Sequence, residues 1–66
     1  NDERERVQRV LLHIKPRSAQ LLTLRYSGFS YAELAEVLKV SPRSIGTLLA
    51  RAEREFERAY RAREKI

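Results

Sequence analysis

The chain has 66 residues, a length at which one domain buries only about 60% of its unfolded surface, so the core is thin and a second domain is excluded. With 42% apolar and 35% charged residues, and only two glycines and two prolines, it reads as helical and amphipathic, not as a disordered tail, a turn-rich β-sandwich or a flexible linker. Fourteen Lys+Arg against nine Asp+Glu leave a net charge of +5, carried mostly by arginine, whose forked guanidinium suits phosphate.

Four helices are predicted in chain order. In the first, Val7, Val10, Leu11 and Ile14 recur at helical spacing, with Asp2, Glu3 and Glu5 at the end where the macrodipole favours negative charge. Lys15-Pro16 is expected to end it, because the residue before proline is pushed out of the α region. Pro16 then opens a second helix carrying Ala19, Leu21, Leu22, Leu24 and Tyr26. That helix is apolar on more than one side and is expected near the centre of the domain. Ser27-Gly28 closes it, Gly28 being free to take a left-handed cap.

The third helix starts at Ser30, which forms a capping box with Glu33, while Phe29 and Leu34 are placed as a hydrophobic staple. Leu34, Val37 and Leu38 are its expected buried stripe. The fourth starts at Ser41-Pro42 and is predicted to run to about Ala62. On its wheel Ile45, Leu48, Leu49, Ala52, Phe56, Ala59 and Tyr60 share one side, and Arg43, Thr47, Arg51, Arg54, Arg58 and Arg61 the other. Phe56 is read as core, and the pattern leaves Tyr60 open between core and an exposed patch. His13, the one histidine, has no nucleophile or acid patterned around it and reads as a surface or capping residue.

Only Lys39 and Val40 separate the third helix from the Ser41 cap, which points to a tight, angled helix-turn-helix. Ala35 is the small residue where the two helices cross, and Leu34, Leu38, Val40, Ile45 and Leu48 are the apolar positions that lock them. Lys39 departs from the pattern, standing at a turn position with positive φ where glycine is usual. The expected fold is therefore an all-α, four-helix domain. It combines a three-helix DNA-binding core of winged-helix-like or homeodomain-like kind with a long C-terminal recognition helix.

In such a unit the start of the second helix enters the major groove of double-stranded DNA. Arg43, Ser44, Thr47 and Arg51 are the candidate base readers; arginine pairs with guanine O6 and N7, and the hydroxyls read less specifically. Ser30 and Ser41, at helix N-termini, with Tyr31, Lys39 and Arg54, are the candidate phosphate contacts. From Val37 to Ala52 there are three basic residues and no acidic one, so positive charge gathers at this end. The bland alternative is that an arginine stripe is a solvated helix face, and that carboxylates such as Glu57 only support it through i,i+4 pairs with Arg61. No Gly-rich phosphate loop, paired-acid site or metal-ligand spacing is present, and there is no cysteine. The expectation is a non-enzyme with no cofactor and no small-molecule substrate. No apolar run approaches the ~20 residues of a membrane span. Asn1 in the place of an initiator methionine points to one module excised from a longer chain.

Leu21-Leu22-Thr23-Leu24-Arg25-Tyr26, the run Gly28-Phe29-Ser30-Tyr31-Ala32-Glu33-Leu34-Ala35-Glu36-Val37-Leu38, then Val40-Ser41-Pro42 and Leu49-Ala50-Arg51-Ala52 resemble region 4 of bacterial sigma factors, most nearly the extracytoplasmic-function group. The likeness covers roughly residues 14–54. It implies a cytoplasmic promoter-recognition domain that binds the −35 element, docks on the β-flap of RNA polymerase core and is masked in some members by an anti-sigma factor. The resemblance also implies that Gly46 replaces a frequent lysine and Leu48 a frequent arginine. Both losses weaken the electrostatic part of DNA binding. The isolated domain is thus expected to bind DNA weakly, with tethering by polymerase supplying the rest. The alternatives weighed are a LuxR-type response-regulator DNA-binding domain, whose Glu-x-Glu-Val-Leu run Ala19-Gln20-Leu21-Leu22 does not match, and a helix-turn-helix used only for protein contacts.

Overall fold

Pro16 and Pro42 each occupy the first position of a helix, where a missing N–H costs nothing, and the two prolines divide the chain accordingly. The computed structural model describes residues 2–64; of the single domain expected over 1–66, Asn1, Lys65 and Ile66 lie outside the described residues. The helices are α1 (Asp2–Leu11), α2 (Pro16–Tyr26), α3 (Tyr31–Leu38) and α4 (Pro42–Glu64). No strand occurs among the described residues, so the all-α core of α2, α3 and α4 is the wingless, homeodomain-like form.

The first helix is shorter than its apolar stripe predicts, ending at Leu11 and not at Ile14. Leu12 and His13 donate their N–H groups to Arg9 and Val10, three residues back, which tightens and closes the last turn. Lys15 is extended (φ −57°, ψ 137°), as its position before proline demands. The intervening bend lets Ile14 drop into the core at 8% exposure.

The end of α2 is a Schellman motif. Gly28 takes φ 106°, its N–H reaches the Arg25 carbonyl, and the Phe29 N–H reaches back to Leu24. At α3 the capping box is complete. The Ser30 hydroxyl accepts from the Glu33 N–H at 3.1 Å, and the Ser30 N–H donates to Glu33 Oε1 at 2.8 Å. Lys39 then adopts the left-handed conformation (φ 58°, ψ 47°), and the Val40 N–H closes on the Ala35 carbonyl.

All three shorter helices pack on α4, and α2, packed on both α3 and α4 with Leu21 and Leu22 buried, lies near the centre as expected. Leu22, Leu34 and Ile45 are sealed from solvent, each burial worth about 1.5–3 kcal/mol. Leu48 and Phe56 are half-buried against the same cluster. Two expected core residues point outward. Val37 is 44% exposed because it stands roughly 110° around α3 from the mean direction of Leu34, Ala35 and Leu38. Tyr26, in the last turn of α2, is 73% exposed. Tyr60 is half-buried, with its ring stacked on Phe56 at a centroid separation of 6.0 Å.

Candidate nucleic-acid interface

Because Ile45, Leu49, Ala52 and Phe56 turn one side of α4 into the core, the helical repeat carries Arg43, Ser44, Thr47 and Arg51 to the opposite side, within an arc of about 100°. Arg43, Thr47, Arg51 and Arg54 are exposed along it. Ser44 is half-buried in the first turn, its hydroxyl 3.1 Å from that of Ser41. The Ser41 side chain thus pairs with another side chain. Pro42 has no N–H and the Ser44 N–H bonds the Ser41 carbonyl, which leaves the Arg43 N–H as the open donor of this turn. Among the described residues no carboxylate forms an ion pair with Arg43, Arg51 or Arg54.

Ser30 is placed differently from a free phosphate site. Its N–H and hydroxyl are both committed to the capping box, so the first turn of α3 offers the N–H groups of Tyr31 and Ala32. Tyr31 is 46% exposed, and the Arg25 guanidinium lies over its ring, 5.5 Å from the centroid. Arg25 also donates to the Phe29 carbonyl at 3.1 Å, which holds it across the α2–α3 corner. Arg25 is a basic group on this flank that sequence reasoning passed over. Its signal was the interleaving of Arg25, Tyr26 and Tyr31 around a glycine turn. Lys39 is exposed at the corner between α3 and α4, on the turn that its own backbone forms.

Gly46 lies beside this site. A methyl group built there meets only Tyr31 Cε2, at 4.0 Å, an ordinary contact. The half-buried Leu48, by contrast, belongs to the packing between α4 and the rest of the core.

A second arrangement that the sequence hid holds α4 to the base of the site. Lys15 offers α2 no side-chain cap, and Glu55 of α4 supplies the acceptor. The Lys15 N–H donates to Glu55 Oε1 at 2.7 Å and the Ser18 hydroxyl to Oε2 at 3.0 Å. The Lys15 N–H is the main cause holding the Glu55 carboxyl below its ordinary value; burial opposes it next, and the Ser18 hydrogen bond and the charges of Lys15 and Arg58 lower it further. Glu33 is lowered too, chiefly by the Ser30 N–H and then by the Ser30 hydroxyl. An absent Ser, Thr, Asp or Asn at position 15 was the available signal, since a helix start without a local cap draws one from elsewhere.

Among the described residues no helix is long and apolar enough to cross a membrane, and no group of three or more His, Cys, Asp or Glu is placed to hold a metal ion. The family described as Sigma-70, region 4 matches residues 4–56 of the chain. No curated protein and no solved structure matches it.

Proposed function

Since the chain belongs to the sigma-70 region 4 family of promoter-recognition domains, we propose that it reads the −35 element through the start of α4 and docks on RNA polymerase core through α1 and α2. The observation that carries the reading is the exposed line of Arg43, Thr47 and Arg51, opposite the buried side of the same helix. In this reading Arg43 and Arg51 take guanine edges or adjoining phosphates, and Ser44 and Thr47 make the shorter hydroxyl contacts. Tyr31, Lys39, Arg54 and the turns beginning at Ser30 and Ser41 fix the register by gripping phosphate. The domain works without a cofactor or catalytic group, in the cytoplasm of a bacterium.

Polymerase contact is assigned to the apolar face formed by Leu11, Leu12, Pro16, Ala19 and Leu24, which no residue of α4 lines. Leu12 is 82% exposed there, a large apolar side chain left facing solvent. The β-flap is the proposed occupant, and an anti-sigma factor is a competitor for the same surfaces. Placing the two functions on separate faces lets DNA and polymerase bind together, and tethering then compensates for the weak DNA contact expected of Gly46 and Leu48.

The discriminating experiment compares the chain with an Arg43→Ala/Arg51→Ala variant in promoter-duplex shifts and in polymerase-core pull-downs. The reading predicts lost DNA binding and retained polymerase binding. If the unaltered domain, held on polymerase, leaves the −35 element unprotected, the module serves protein contacts only.

A further inference from the structure

The arginines of α4 continue past the recognition turns. At about 100° per residue, Arg43, Thr47, Arg51, Arg54, Arg58 and Arg61 all fall within an arc of about 80°, opposite Ile45, Ala52 and Phe56. Arg54, Arg58 and Arg61 are exposed, and with Glu57 and Ala62 they line a shallow cleft along the outer side of the helix. Among the described residues no carboxylate forms an ion pair with Arg54 or Arg58. Glu55 lies within the field of Arg58, but its two oxygens take the Lys15 N–H and the Ser18 hydroxyl. Arg61 pairs with Glu57 at 2.7 Å, with both side chains more than half exposed, so water and salt compete for that pair.

We propose that this second half of the stripe grips phosphates of the duplex flanking the −35 element, with Arg58 and Arg61 as backbone contacts beyond those already assigned. The inference rests on the DNA reading above, and it carries the contact past residue 56, where the family match ends. Length is the argument for DNA. Arg43 to Arg51 span about 12 Å of helix, which is about the width of a B-DNA major groove. From Arg51 to Arg61 the same line continues for about another 15 Å, so these side chains stand where the helix leaves the groove and passes its phosphate rim. Forked guanidiniums suit that rim. A protein occupant matches the face poorly. Protein interfaces centre on buried aromatic or large apolar anchors, and the one apolar side chain lining this cleft is Ala62.

The test measures the affinity of the 66-residue chain against salt concentration on two duplexes. One ends at the edges of the −35 element, and the other is longer by about ten base pairs, one helical turn, on each side. The parent should show the steeper slope of log affinity against log salt on the long duplex. Arg58→Gln/Arg61→Gln should lose roughly 1.8 from that slope, about 0.9 for each phosphate contact, and narrow the difference between the duplexes. Arg9→Gln/Arg63→Gln removes the same charge away from the stripe and should keep the parent slope; circular dichroism checks that both variants fold. A parent slope in Arg58→Gln/Arg61→Gln, or an equal loss in both variants, overturns the proposal. So does an Arg58→Gln/Arg61→Gln variant that keeps its slope and loses its hold on polymerase core, which makes the stripe a protein contact. A long duplex with a scrambled −35 element tells the two readings apart. Equal affinity for both sequences sinks base reading, whereas the loss of slope is expected on either, since phosphate contacts carry no sequence information. Absence of binding by the parent even at low salt overturns both.

Discussion

The N–H of Lys15 donates to Glu55 Oε1 at 2.7 Å, so a side chain 40 residues away caps the helix that Lys15 opens. The same carboxylate takes the Ser18 hydroxyl, and this couples the start of α2 to the middle of α4, one turn beyond Arg51. Glu55→Ala should cost about 1–2 kcal/mol, the range for a lost cap with a donor left unpaired. Urea unfolding measures it; a change within error would show that water replaces the carboxylate at no cost.

Acid should weaken the same contact. The Glu55 and Glu33 carboxyls are both held below their ordinary value, so the folded state favours their charged forms. Their contribution is complete above the unfolded value of about 4.3 and is lost as pH falls through the lowered folded values. The stability gap between the parent and Glu55→Gln should therefore be widest near neutrality and narrow below about pH 4. A gap that holds constant down to pH 3 would contradict the assignment of the shift to the Lys15 and Ser18 bonds.

Local signals were legible wherever a residue's conformation depends on its neighbours in sequence. The Ser30–Glu33 box, the Gly28 cap, the two prolines and the positive φ of Lys39 all follow from chemistry within a few residues. The stripe of Arg43, Thr47 and Arg51 was legible too, because burial of Ile45 and Leu49 fixes which side of α4 faces out. What escaped depends on contacts distant in sequence. The early end of α1 follows from the bend that brings Lys15 to Glu55, and α4 is the element on which all three others pack. Val37 is exposed because it stands about 110° around α3 from the buried direction, and Tyr26 stands exposed in the last turn of α2.

Gly46→Ala should stabilise the domain. The added methyl group meets Tyr31 Cε2 at 4.0 Å without strain, and alanine regains up to about 1 kcal/mol of helix propensity. Thermal unfolding reads this as a rise in Tm. A fall would show that Tyr31 packs closer to the α4 backbone than the structure places it.

Lys39→Gly should separate strain from binding. Glycine accepts φ 58° freely, so stability should rise by about 1 kcal/mol, less the greater freedom of the unfolded glycine. If Lys39 grips phosphate, the slope of log affinity against log salt should fall in magnitude by roughly 0.9. A gain in stability with an unchanged slope would remove Lys39 from the interface.

The central claim is that the first turns of α4, opposite Ile45 and Leu49, are the surface that meets the promoter. Amide shifts of the 66-residue chain during titration with a duplex carrying a −35 element test it most directly. The account predicts shifts concentrated at Arg43, Ser44, Thr47 and Arg51, with smaller ones at Tyr31 and Lys39, and little change at Arg9, Tyr60 and Arg63. Shifts gathered at the α1–α4 end, with Arg43 to Arg51 silent, would contradict it.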